Sequence, residues 1–154
     1  MKDKWVEHIK IHKVNSGTIN ETADKVAVEE PLEIQLAYST SSGRMIKNIA
    51  VTMRTPGNDE ELAAGFLFTE GIIQNATSIR ETKQPGADEN RVLVELQENV
   101  QPVLSNIARN FYSTSSCGVC GKASIDAIRS VSQYGMEHDH LLINASVLYH
   151  LQDD

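Results

Sequence analysis

The run Leu32-Glu33-Ile34-Gln35-Leu36-Ala37-Tyr38 decides the first half of the fold. It alternates without a break, and Leu32, Ile34, Leu36 and Tyr38 fall on one face. A period of two marks a strand with one buried face. Ser39 to Gly43 is a polar turn, and Met45 to Met53 is strand-like again, so the two runs read as a hairpin. Thr55-Pro56-Gly57 ends the second strand sharply.

Upstream, Trp5 to Val14 alternates with Ile9 and Ile11 on one face, which predicts a short strand. Asn15-Ser16-Gly17 reads as a turn and Lys25-Val26-Ala27-Val28 as a second strand. Glu29-Glu30-Pro31 interrupts it, because proline cannot donate to a ladder. Downstream comes the clearest helix. Asn58 is placed to cap it and Glu61 to complete a capping box. Asp59, Glu60 and Glu61 occupy the first turn, where the helix dipole favours negative charge. Leu62, Ala63, Phe66 and Leu67 form an apolar stripe, and Gly71 fits the position just past the end.

Thr82 to Asn90 reads as a polar loop, Arg91 to Leu96 as a strand, and Asn110 to Thr114 as a short extended segment. Ala123 to Val131 has helical spacing, and Asn144 is placed to cap a last helix from Ala145 to about Leu151. Strands and helices mixed without strict alternation predict an α+β (mixed α/β) fold. The expected division is an N-terminal α+β domain over 1–104 and a cysteine-bearing segment over 105–154.

The chain of 154 residues is long enough to bury a core without a disulfide or metal staple. Aromatics make up only 5%, so that core must rest on Leu, Ile, Val and Ala. Lys plus Arg number 14 against 21 Asp plus Glu, a formal charge of −7, which argues against general nucleic-acid binding. No apolar run reaches membrane-spanning length, and Met1-Lys2-Asp3-Lys4-Trp5 does not open a signal peptide. The expected compartment is the cytoplasm, where the two cysteines stay reduced.

Those cysteines stand in Ser115-Ser116-Cys117-Gly118-Val119-Cys120-Gly121-Lys122. Two residues of separation allow both thiols to face one reacting atom. A following helix N-terminus and Lys122 favour a thiolate. Gly118 and Gly121 permit tight turning and close approach of a bulky ligand, and the hydroxyls from Ser113 to Ser116 supply donors. Four readings stay open on chemistry alone: a sulfur-relay or redox thiol pair, half of a zinc site completed by His138 and His140, a structural disulfide, and inert thiols. A zinc deaminase motif is excluded, because Ser116 precedes Cys117 and neither His8 nor His12 stands in His-x-Glu. A Walker A loop fails too, with Ser116 in place of the first glycine and Ala123 in place of Ser or Thr. Arg54, beside the helix N-terminus, suits either an anion or a local acid such as Asp59.

Three blocks in order, Glu29-Glu30-Pro31-Leu32, Arg54 to Gly71 and Ser115 to Lys122, closely resemble the FdhD/NarQ family. The resemblance implies a formate dehydrogenase accessory protein acting as a sulfurtransferase. It would accept persulfide sulfur from a cysteine desulfurase and pass it to the molybdenum (or tungsten) bis-guanine-dinucleotide cofactor, here a substrate and not a resident group. It implies Cys117 as the persulfide carrier and Cys120 as the thiol that relays or resolves it. Arg54, Ser115, Ser116, Gly118, Gly121 and Lys122 become candidate cofactor contacts. A homodimer and a cytidine-deaminase-like second domain are also implied, without zinc or deamination. Family members run longer, and their C-terminal part helps form the cofactor site. This chain is therefore expected to be truncated and incomplete for transfer, though still able to load sulfur. The rival functions are a zinc- or partner-binding accessory module using the Cys-x-x-Cys loop, and a dithiol oxidoreductase.

Overall fold

The computed structural model describes residues 5–15, 17–86, 89–104, 124–128 and 142–151. Two compact units divide the chain, one formed by 1–7 with 27–129 and the other by 8–26 with 130–154. The fold is mixed α+β and rich in strands. The boundary expected between 104 and 105 falls where the described residues break off.

The first unit is built on a four-stranded sheet in the order β4-β3-β6-β5. Strand β3 is Glu30–Thr40, β4 is Gly43–Arg54, β5 is Ile79–Lys83 and β6 is Arg91–Leu96. The β3–β4 hairpin predicted from alternation is present and antiparallel, with Glu30 opposite Arg54 and Thr40 opposite Gly43. Its register shifts at Ile34/Gln35, so Ile49 enters as an extra residue and is buried. Glu30 and Pro31, expected to interrupt the strands, lie inside β3, and the break falls at Val28 and Glu29. Pro31 is tolerated because pairing with β6 starts only at Glu33. Strand β6 runs parallel to β3 and antiparallel to β5. Strand β5 was not expected: Ile79–Lys83 carries four polar or charged residues in five, and only its edge position makes that sequence a strand.

Leu32, Ile34, Leu36 and Tyr38 do form the buried face of β3, packed with Val92, Val94 and Leu96. Helix α1, Asp59–Thr69, covers this face. Its inward residues are Asp59, Ala63 and Leu67, with Phe66 partly buried, whereas Leu62 is 38% exposed and leaves the expected stripe. The expected cap is corrected as well. Asn58 has φ 48°, in the left-handed region, and its side chain caps nothing. With Gly57 at φ 121° just before it, the chain enters α1 through two positive-φ residues, and Asp59 takes over the anchoring.

The C-terminal end of α1 follows expectation. Gly71 has φ 68°, its N–H reaches the carbonyl of Phe68 at 3.0 Å, and the N–H of Ile72 reaches that of Leu67 at 2.9 Å. This is the Schellman pattern, and Ile72 and Leu67 are both buried in the core. Residues 97–104 return over the α1–β5 link, tied by Val103 N–H to the Ile72 carbonyl at 3.0 Å. Residues 124–128 hold a 3-10 turn at Ile125–Ala127. The rest of the helix expected over 123–131, and the extended segment at 110–114, lie outside the described residues.

In the second unit, β1 (Val6–Asn15, entering from the first unit at its start) pairs with β2 (Thr18–Ala27) as a two-stranded hairpin. Lys10 bonds Glu21 at 2.9 Å across it, and Ile9 and Ile11 are the half-buried positions expected. Helix α2, Ala145–Tyr149, begins as predicted with the Asn144 side chain accepting the Ser146 N–H at 3.0 Å. Among the described residues, no helix is long and apolar enough to cross a membrane.

Candidate functional site

The β3–β4 register sets Glu30 opposite Arg54, so the first two sequence blocks meet at one end of the sheet. The Arg54 side chain is 5% exposed and bonds Asp59 twice, Nε to Oδ1 and Nη2 to Oδ2, each at 3.0 Å. Its Nη2 also donates to the Glu89 carbonyl and its Nη1 to Asn90 Oδ1, both at 3.0 Å. Glu30 Oε2 lies 3.6 Å from Nη1. A guanidinium has five N–H donors; four are hydrogen-bonded here, and the Glu30 carboxylate stands near Nη1 as an ion-pair partner. An anion at Arg54 would compete with these carboxylates. A cavity of about 410 Å³ adjoins this corner, bordered by Trp5, Gly57, Asp59, Glu60, Glu61 and Glu89. Among the described residues its rim is acidic, and Arg54, the one cation there, is already paired.

The opposite face of the sheet carries two buried carboxylates that the sequence reading passed over. Glu33 is 1% exposed. Its Oε1 accepts from Gln35 Nε2 at 2.8 Å and lies 3.5 Å from Arg91 Nε, and its Oε2 accepts the backbone N–H of Ile125 at 3.1 Å. Gln35 continues the network to Asn48 Oδ1 at 3.1 Å. Glu95 is held by Arg44 at 3.0 Å, by Lys83, and more distantly by Arg80 at 3.9 Å. The hydrogen bond from Lys83 holds the Glu95 carboxyl below its ordinary value. Burial pushes the other way, and the charges of Lys83, Arg44 and Arg80 add to the lowering. The same hydrogen bond holds Lys83 above its ordinary value. The signal for both glutamates was the alternation itself, which places Glu33 and Glu95 on the face away from Leu36 and Val94.

Cys117, Cys120, Ser115, Ser116, Gly118, Gly121 and Lys122 lie outside the described residues, as do His138 and His140. Among the described residues, no group of three or more His, Cys, Asp or Glu is arranged to hold a metal ion. The structure thus locates Arg54 of the candidate site and brings to its sheet the segment that follows the cysteine block.

This chain belongs to the FdhD/NarQ family, whose model matches residues 27–154. The match takes in the Glu30–Arg54–Asp59 corner and both cysteines. The chain is similar to a protein named sulfur carrier protein FdhD in Mycolicibacterium paratuberculosis, 44% identical over 132 residues, 81% of this chain and 46% of that protein. The protein of that name in Picrophilus torridus is 40% identical over 130 residues, covering 84% and 46%. The one in Mycobacterium tuberculosis is 35% identical over 156 residues, covering 95% and 54%. The chain therefore spans about half the length of the curated relatives it matches. A crystal structure of a candidate formate dehydrogenase accessory protein from Desulfotalea psychrophila aligns with 60% of this chain and 37% of its own, at 29% identity and a TM-score of 0.49.

Proposed function

We propose that this chain carries sulfur for the maturation of formate dehydrogenase, as the cysteine-bearing part of a sulfurtransferase. The carrying observation is the family match over 27–154, which holds Cys117 and Cys120 in one block with the Arg54 corner. Relatives of the same family are named sulfur carrier proteins, which supports the reading.

The chemistry follows from thiol–persulfide exchange. The Cys117 thiolate attacks the outer sulfur of a persulfide on a cysteine desulfurase. A new S–S bond forms on Cys117 while the old one breaks, and the desulfurase cysteine leaves as a thiolate. No external oxidant or reductant is consumed. Cys120 then takes the sulfur onward or resolves the persulfide. The acceptor is the molybdenum or tungsten bis-guanine-dinucleotide cofactor, delivered to formate dehydrogenase. Ser115, Ser116, Gly118, Gly121 and Lys122 are the proposed cofactor contacts. Arg54 supports that site through the corner it braces, since it is hydrogen-bonded to Asp59, Asn90 and the Glu89 carbonyl and ion-paired with Glu30. The working form is a cytoplasmic homodimer, and residues 105–154 belong to a cytidine-deaminase-like domain.

The test is incubation with a cysteine desulfurase and cysteine, followed by intact-mass measurement. The chain should gain one sulfur atom, removable by reductant and absent in Cys117→Ala. Failure of the wild-type chain to acquire any reducible sulfur on Cys117 or Cys120 overturns the reading.

A further inference from the structure

Glu33 presents a carboxylate of which one oxygen, Oε2, serves a segment outside its own sheet. Its neighbours on the same face are Val51, directly opposite on β4, Arg91, its register partner on β6, and Leu93, two pairs along; Val51 and Leu93 are buried. Burying an ionised carboxylate carries a desolvation penalty of several kcal/mol, which its partners must offset. Both partners within the sheet, Gln35 Nε2 and Arg91 Nε, approach Oε1, and Oε2 is turned to a group from outside the sheet. A leucine here could not accept a hydrogen bond from a segment 92 residues away in sequence, as Glu33 does from Ile125.

The partner atom is informative. Ile125 opens a 3-10 turn in which Ala127 N–H bonds the Ser124 carbonyl and Ile128 N–H bonds the Ile125 carbonyl. The Ile125 N–H belongs to the first donors of the turn, which have no partner within it. A buried carboxylate satisfies that donor with a charge-assisted bond. A backbone N–H carries no side-chain identity, so the bond fixes the position of the chain and not the recognition of a residue. Gln35 and Arg91 fix the carboxylate in turn, at 2.8 Å and 3.5 Å. Ile125 stands five residues beyond Cys120. Five residues of chain span at most about 18 Å.

We propose that Glu33 is a positioning residue: it fastens the chain just downstream of the cysteine block to the sheet, and so sets the point from which that block is presented to a sulfur donor. The presenting role rests on the sulfur-carrier reading; the fastening does not.

The experiment compares Glu33→Leu, Glu33→Ala and Glu33→Gln by amide hydrogen exchange and by sulfur loading from a cysteine desulfurase. Protection of Val92 and Val94 in β6 reports that the sheet is folded, and either acceptor-deleting variant that keeps it is sufficient. The expected result is a loss of Ile125 protection of at least about tenfold in Glu33→Leu or Glu33→Ala, the scale of one hydrogen bond to a charged group. Glu33→Gln, whose amide oxygen still accepts, should retain most of the protection. Loading should slow severalfold in the acceptor-deleting variants and recover in Glu33→Gln. Unchanged Ile125 protection with an intact sheet overturns the fastening. Lost protection with an unchanged loading rate overturns the presenting role. If the wild-type chain takes up no sulfur, the carrier reading and the presenting role fall with it, while the exchange result still decides the fastening.

Discussion

Arg54 and Asp59 face each other across the corner between β4 and α1, joined by two parallel hydrogen bonds of 3.0 Å. Both side chains are nearly fully buried, at 5% and 6% exposure. This pair does the work that the sequence assigned to Asn58. The helix is fastened at its first residue to the last residue of the preceding strand, and the same guanidinium reaches Asn90 at the entry to β6. One side chain therefore ties together β4, α1 and the β5–β6 connection.

Removing one member of a buried pair leaves the other uncompensated. Arg54→Ala should destabilise the chain by about 3–5 kcal/mol, and Asp59→Asn should also be strongly destabilising. Arg54→Lys keeps the charge but not the planar fork, so it should recover only part of the loss. Urea unfolding followed by fluorescence measures this directly. The single tryptophan, Trp5, has its indole nitrogen 3.0 Å from where a Cβ on Gly57 would stand, and so reports on this corner. A loss below about 1 kcal/mol for Arg54→Ala, the range of a surface pair, would contradict the bracing role.

Two glycines of the same helix should respond to alanine with opposite signs. Gly71 sits at φ 68° with open space around it, so Gly71→Ala meets only the backbone penalty of the left-handed region, about 1–2 kcal/mol. Gly65 lies mid-helix, exposed, and also with nothing within 4 Å. Gly65→Ala should therefore stabilise by about 0.5–1 kcal/mol. Thermal unfolding of the two variants beside the parent gives both signs.

The Glu95–Lys83 pair predicts stability limits at both ends of the pH scale. Glu95 titrates below its ordinary 4.5, so its contribution is present above that value and is lost as pH falls through the lowered one. Lys83 titrates above 10.5, so its contribution is complete below that value and is lost as pH rises through the raised one. The difference in urea midpoint between the parent and Glu95→Gln should be flat from about pH 6 to pH 9 and shrink beyond both limits. A difference that stays constant into acid would show that Glu95 does not titrate with folding.

Much of this architecture is legible in the sequence because period and terminus signals are local. Leu32 to Tyr38 alternates and is a strand; Gly71 follows a helical run and closes it; Asn144 precedes Ala145 and caps it. What escaped is what depends on a distant partner. Ile79–Lys83 has no strand pattern of its own and becomes β5 by pairing with β6. Asn58 has the composition of a cap, but Gly57 and Asn58 at positive φ turn it away, and the Arg54–Asp59 pair replaces it. Glu33 looks like a solvent-facing residue until Ile125 arrives, from the far side of the cysteine block, to cover it. The candidate thiols are legible by motif and family resemblance, since cysteine spacing carries its chemistry locally, whereas a partner such as Ile125 for Glu33 is set by a tertiary contact.

The two cysteines should separate in a loading-and-release experiment. On the sulfur-carrier reading proposed above, sulfur enters through attack by the Cys117 thiolate on an outer persulfide sulfur, so Cys117→Ala should acquire none. On the same reading, departure from Cys117 takes one of two routes, and both use the Cys120 thiolate. In the relay it attacks the outer sulfur, producing a persulfide on Cys120 and freeing the Cys117 thiolate. In the resolution it attacks Cys117 Sγ, forming the Cys117–Cys120 disulfide and reducing the sulfane sulfur to hydrosulfide. Cys120→Ala should therefore load sulfur and keep it, with release slowed severalfold in the absence of added thiol. Intact mass over time, with a count of free thiols, follows both steps: from the loaded chain, resolution consumes the Cys120 thiol and the Cys117 persulfide for each hydrosulfide released, and relay leaves one thiol and one persulfide. A Cys120→Ala chain that sheds its sulfur at the parent rate would assign the whole exchange to Cys117 and leave Cys120 without a part in it.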